Sequence, residues 1–177
     1  MSSLRKIGRI RSYLDQKTTL TLIHSFVTSK LDTCNALLAN LPSDDLMKLQ
    51  RIQNIAARIT TRATRHTSIS SILVDLHWLP ISKRIHFKIL LLTYKALNGS
   101  APPFVSELLH IYVPSRALRS QHKHLLEVPR CNTKYYGQSS FTIIAPTLWN
   151  SIPLTIRTAP TLQTFKTGLK TYLFRSS

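Results

Sequence analysis

Two adjacent carboxylates, Asp44 and Asp45, are the residues whose types and spacing come nearest to chemistry. Converging carboxylates seat Mg²⁺ for two-metal phosphoryl transfer when a rigid turn holds them at one point. Here the pair follows Leu41-Pro42-Ser43 and precedes a helical repeat. Negative charge is favoured at a helix N-terminus, so capping by Ser43 with the two aspartates in the first turn accounts for the pair. With seven acidic residues in total and no second cluster, the chain is not expected to assemble a metal-dependent nuclease or polymerase centre. Other candidates are thinner. His122 and His124 stand two apart in a basic loop, which reads as solvated. Cys34 and Cys131 lie far apart, and neither has metal-ligand neighbours at finger spacing. Cys34 falls on an apolar helical stripe and reads as a packed structural thiol. His77, beside Trp78, reads as a hydrogen-bonding corner residue. Four scattered glycines form no phosphate-cradling loop. No catalytic residue, metal or cofactor is expected.

What the chain has in surplus is positive charge. Twenty-four Lys and Arg face seven Asp and Glu, for a formal net charge of +17. Such an excess destabilises a compact state by self-repulsion unless a polyanion screens it. RNA, DNA or an RNA–DNA hybrid, held through phosphates, is the expected partner. An anionic membrane surface, an acidic protein and an idle basic surface are the competing readings. On a helical wheel, Lys48, Arg51, Arg58, Arg62 and Arg65 fall within about 100° of arc and flank an apolar face. Lys83, Arg84 and Lys88 are set into LHWLPISKRIHFKILLL, the most hydrophobic stretch of the chain. These eight are the expected nucleic-acid contacts.

The elements that must position them read as helices. Leu20, Ile23, Val27, Leu31, Cys34 and Leu38 recur at spacings of three and four, which predicts a helix over 17–41 ended by Pro42. A second helix is expected over 44–65, burying Leu46, Leu49, Ile52, Ala56 and Ile59. Ser68 starts a short helix to Leu76. Pro80 makes a corner, and Ser82 caps a helix that runs to Leu97 and stops at Asn98-Gly99. Ile81, Ile85, Ile89, Leu92 and Ala96 line one side of it, and Phe87, Leu90, Leu91, Tyr94 and Leu97 cover much of the rest, which makes it central to the fold. Pro102-Pro103 opens a further helix to about Tyr112. Beyond Val113, turn formers and short apolar runs predict strands at 125–128 and 141–144. A terminal helix over 161–174 carries Leu162, Phe165, Leu169 and Leu173 on one face. The expected fold class is mainly α: a helical bundle over 1–112, then a less regular segment over 113–177 with short strands and a terminal helix, packed on the bundle.

At 177 residues a real core is available, with about 70% of the unfolded surface buried on folding. Two cysteines are too few for a disulfide framework, so a reduced intracellular compartment, nuclear or cytoplasmic, is expected. The run Ile89 to Leu92 is far below membrane-spanning length, and no membrane partner is expected. The basic N-terminus, with Arg5, Lys6, Arg9 and Arg11, lacks the apolar stretch of a secretory signal; a mitochondrial transit peptide is the alternative reading.

Several motifs then align with a known family. Leu31-Asp32-Thr33-Cys34-Asn35-Ala36-Leu37-Leu38, Leu41-Pro42, and 49–58 (LQRIQNIAAR) resemble the region after the polymerase core of non-LTR (LINE-type) retrotransposon reverse transcriptases. The likeness continues through 76–80 (LHWLP), Arg84-Ile85, Phe87-Lys88, 94–99 (YKALNG), 114–119 (PSRALR), Val128-Pro129-Arg130, 145–153 (APTLWNSIP), Phe165-Lys166 and 169–174 (LKTYLF). Nearly the whole chain is covered in order. Thr33 departs from the tyrosine usual in that family. The resemblance implies the thumb-like and C-terminal part of such an RNA-directed DNA polymerase, with the palm carboxylates and endonuclease domain lying outside this sequence, as in a 5′-truncated copy. It implies a non-catalytic fragment with residual sequence-independent grip on a nucleic-acid backbone. A helical interaction or homodimer module, joined through exposed apolar faces, and a remnant without selected function are the alternatives.

Overall fold

The computed structural model describes residues 2–64, 66–114, 124–130 and 140–176. The chain forms two compact units, Met1–Ile85 and His86–Ser177, so residue 113 falls within the second unit. The first holds α1 (Ser2–Ile10), a 3₁₀ turn Arg11–Tyr13, α2 (Gln16–Ile23), a π-helical turn His24–Thr28, α3 (Ser29–Asp32), a 3₁₀ segment Asn35–Asn40, α4 (Ser43–Thr61), α5 (Ile69–Asp75) and the first turn of α6 (Ile81–Leu97). The second holds the rest of α6, then α7 (Pro103–Ser106), α8 (Phe141–Ser151), α9 (Leu154–Arg157) and α10 (Leu162–Arg175). The protein is mainly helical: 71% of the described residues lie in helices.

In the first unit the helix expected over 17–41 is broken twice. The Asp15 side chain caps α2 by accepting the Thr18 N–H at 3.3 Å. Hydrogen bonding from Thr18 holds the Asp15 carboxyl below its usual value, and the contribution of this cap is lost as pH falls through that lowered value. Thr21, Ser25, Ser29 and Thr33 each donate a hydroxyl to the carbonyl four residues earlier. Such back-bonding competes with the helical ladder and bends helices, and here it brackets the π-helical turn. The α-helix ends at Asp32, and Cys34, left-handed with φ 52°, starts the 3₁₀ segment that follows. Cys34 is exposed there, which corrects the packed thiol expected from periodicity.

The core of this unit gathers Leu4 and Ile7 of α1, Ile23 and Val27, Ala56 and Ala57 of α4, Ile72 and Leu73 of α5, and Trp78. α4 begins one residue before expectation, with Ser43 inside it, Pro42 at the cap, and Asp44 and Asp45 in its first turn. Its buried residues are Gln53, Ala56, Ala57 and Thr60; Leu46, Leu49, Ile52 and Ile59 are only half-buried. Small side chains let neighbouring helices approach closely: a Cβ on Gly8 would sit 3.6 Å from Ile59 Cδ1. This choice of face turns the Arg51 stripe to the outside of α4, where the sequence pattern has it flanking the core.

Gln53 is 1% exposed because its amide is fully used. Its Nε2 donates to the Leu79 carbonyl at 2.8 Å. Gln50 donates to Gln53 Oε1 and Asn54 Oδ1, and its own oxygen accepts the Ile81 N–H at 2.8 Å. Two glutamines thus clamp the Leu79-Pro80-Ile81 corner and cap the start of α6 from outside. Just before it, α5 ends in a Schellman turn: His77, with φ 54°, donates its N–H to the Val74 carbonyl, and Trp78 donates to Leu73. The contribution of His77 to the corner is made by its backbone; its side chain is exposed. Gln53→Ala leaves a buried carbonyl without its donor and should cost roughly 1–3 kcal/mol in urea unfolding. An exposed control, Arg51→Ala, should stay within about 0.5 kcal/mol of the parent. Equal midpoints for the two variants would remove the clamp.

In the second unit, α6 buries Ile89, Leu90, Thr93, Tyr94 and Ala96. It closes at Gly99, φ 66°, with the Ser100 N–H on the Lys95 carbonyl. The strands expected at 125–128 and 141–144 are absent among the described residues. Residues 141–144 open α8, whose buried Ala145, Pro146 and Trp149 make packing override the β-branched run Thr142-Ile143-Ile144. At 125–128 the backbone is extended but forms only a single antiparallel bridge, Ile111 with Leu126. The other edge of Leu126 is taken by a side chain: Asn150 Oδ1 accepts its N–H at 2.9 Å, and Asn150 Nδ2 donates to its carbonyl at 2.8 Å. The Asn150 amide thus closes that edge of Leu126 to a further strand.

Candidate nucleic-acid interface

The eight sequence-derived cations fall into distinct environments. Arg58 donates Nη1 to the Thr64 carbonyl and Nη2 to the Thr67 carbonyl at 3.0 Å, stapling the loop after α4. Arg62, at the left-handed C-cap of α4, donates Nη2 to the carbonyls of Arg11 (3.1 Å) and Leu14 (2.7 Å), tying α4 to the turn after α1. Arg84 makes a side-on fork with Asp32: Nε to Oδ1 at 3.0 Å and Nη2 to Oδ2 at 2.5 Å. The arginine side chain of that pair is 17% exposed, so this fork is a fixed structural bond between α3 and α6. Lys48 is exposed and pairs with Asp45 at 2.8 Å within the first turns of α4. Lys83 is half-buried. Arg51 and Lys88 are exposed. Arg65 lies outside the described residues.

A further basic face lies on α1. Leu4 and Ile7 are buried at 4% and 5%, while Arg5, Lys6 and Arg9 are exposed. At 100° per residue those three cations occupy about 100° of arc opposite the buried pair. α1 runs parallel to α4. Leu4 shares an apolar groove with Leu49 and Ile52, Gly8 meets Ile59, and Arg11 accepts from Arg62. Cations on the two helices therefore advance in the same direction along this unit. The sequence reading weighs the basic N-terminus only as a targeting segment; the spacing of Leu4 and Ile7 between cations is the signal that makes it an amphipathic helix.

Counter-charge is scarce. Ion pairs among the described residues include Lys48–Asp45 and Arg84–Asp32. Arg5, Lys6, Arg9 and Arg51 make none there. Among the described residues no group of three or more His, Cys, Asp or Glu could hold a metal ion. Asp44 and Asp45 sit at the start of α4, where the helix dipole and Lys48 face them. His122 and Cys131 lie outside the described residues. No helix among the described residues is long and apolar enough to cross a membrane. Comparison with family models, with curated proteins and with solved structures finds no match.

Such an arrangement can hold a polyanion by its phosphates. Exposed Lys and Arg on rigid helices neutralise charge and release counterions without reading base edges.

Proposed function

We propose that this chain is a non-catalytic, thumb-like and C-terminal part of a non-LTR retrotransposon reverse transcriptase, and that it grips RNA, DNA or their hybrid by the phosphate backbone without sequence preference. One observation carries the reading: a formal charge of +17 in which few cations have an acidic partner. The short motifs from Leu31 to Phe174 support the family. The exposed cations of α1 and of the outer face of α4 support the grip, with Arg5, Lys6, Arg9 and Arg51 as its contacts. Arg58, Arg62 and Arg84 serve it by holding the helices in place. Titration of a random-sequence duplex at several salt concentrations tests this. Binding should be steeply salt-dependent and indifferent to sequence; salt-insensitive binding, or none at low salt, removes it.

A specific feature of α4 favours a second reading, a homodimer. Met47 is 49% exposed and Ile55 40% exposed, and they alternate with Arg51 at positions i, i+4 and i+8. A stripe of Met, Arg and Ile has the composition of a protein interface. Light scattering after size-exclusion chromatography should then give a dimer that Ile55→Glu dissociates. A monomer at all concentrations would eliminate this reading.

A further inference from the structure

The second unit contains a cavity of about 330 Å³ whose walls include Leu97, Ile111, Leu126, Trp149, Ala159 and Arg157. Its one arginine is anomalous. Nε and Nη1 of Arg157 are buried and have no hydrogen-bond partner. Buried polar groups in folded proteins are almost always satisfied, and two buried donors on a half-buried arginine are an exception that asks for an acceptor. Desolvation lowers the Arg157 pKa below its ordinary value, a further sign that the charge lacks compensation. No Asp or Glu side chain supplies the missing acid. All seven Asp and Glu lie among the described residues, and none of them pairs with Arg157.

We infer that this cavity binds a small monocarboxylate with an apolar body, its carboxylate on the Arg157 guanidinium and its tail against Trp149 and the aliphatic wall. Guanidinium geometry matches a carboxylate, and an ion pair formed in such a setting satisfies donors that otherwise go unpaired. The volume lies at the lower end of the range for small-molecule sites. The charge count selects the ligand class. One arginine in a lining that joins Leu, Ile, Ala and Trp to the polar side chains of Asn98, His124 and Thr158 suits a single negative charge with a short hydrocarbon body attached. A nucleic-acid phosphate backbone follows rows of exposed cations and has no apolar part to fill such a recess. The inference is therefore independent of the nucleic-acid reading and survives its failure.

The test compares hexanoate with hexanamide, an uncharged near-isostere, on the full chain. Calorimetry and thermal unfolding should show millimolar binding of hexanoate that raises the melting temperature, and no response to hexanamide. Arg157→Gln should weaken hexanoate roughly tenfold to a hundredfold, the worth of a charged hydrogen bond. Without ligand, Arg157→Met should be at least as stable as the parent, because it removes two buried donors that have no acceptor. Equal responses to acid and amide, or unchanged binding in Arg157→Gln, would overturn the proposal. So would a marked loss of stability in Arg157→Met, which would make the arginine structural. Displacement of hexanoate by inorganic phosphate or a short oligonucleotide at lower concentration would assign the cavity to phosphate and overturn it too.

Discussion

Replacing Phe165 with alanine is expected to destabilise the second unit by about 3–5 kcal/mol, the range for emptying an aromatic site in a core that cannot collapse. Phe165 on α10 is 0% exposed. Its ring stacks on Tyr94 of α6, with centroids 4.3 Å apart and planes at 22°, and lies 6.0 Å from the Trp149 ring of α8. One side chain therefore joins three helices that are remote in sequence. The neighbours have little room to fill the void. Tyr94 is tethered by its hydroxyl to the Ala159 carbonyl at 2.9 Å, and Trp149 by its Nε1–H to the His124 carbonyl at 2.9 Å. Phe165→Leu keeps most of the volume and should lose less than half as much. Urea unfolding followed by tryptophan fluorescence measures both. A loss below about 1 kcal/mol for the alanine variant would mean that α10 is not the keystone of this unit.

The face of α10 was legible because its rule is simple: Phe165, Leu169 and Leu173 recur every four residues, and all three are buried. Gly168, which weakens helix propensity, is tolerated at a place where an added Cβ would meet Ile156 at 3.8 Å. The corner at Leu79-Pro80 was legible from proline alone. Its clamp was not, because Gln50 and Gln53 are polar residues whose burial depends on carbonyl and N–H partners far along the chain. The same limit explains Leu126: an extended run reads as a strand, and nothing local reveals that the Asn150 amide will occupy its free edge. The run 141–144 misleads in the opposite sense: it reads as a strand, yet it opens α8, whose interior holds the buried Pro146.

The cations show why charge patterning finds a function class more readily than a site. A helical wheel registers Arg58, Arg62 and Arg51 as equivalent, within one arc. Their partners separate them. Arg58 reaches carbonyls in the loop after its own helix, Arg62 reaches carbonyls just beyond α1, and Arg51 reaches solvent. A wheel contains no tertiary acceptors, so it cannot distinguish an arginine that binds a ligand from one that binds its own backbone. Arg84 is the same lesson with an acid: Asp32, 43% exposed, is its partner from outside the helix.

That separation makes the charge hypothesis sharper than a general appeal to basicity. For about five phosphates neutralised on duplex DNA, log affinity should fall with log salt at a slope near −4.5, so raising salt from about 50 to about 200 mM should weaken binding roughly five-hundredfold. Converting Arg5, Lys6, Arg9 and Arg51 together to glutamine removes four exposed charges that hold nothing in the fold, and should flatten the slope by about 3.6. Arg58→Gln and Arg62→Gln should behave differently. Each frees carbonyls that a guanidinium now satisfies, so each should lower the unfolding midpoint and leave the salt slope of the folded protein nearly unchanged. Base composition of the duplex should matter little in every case, since phosphate contacts carry no sequence information. If the quadruple variant retains the parental slope while Arg58→Gln or Arg62→Gln abolishes it, the grip lies with the backbone-bonded arginines and the outer face of α1 and α4 is idle.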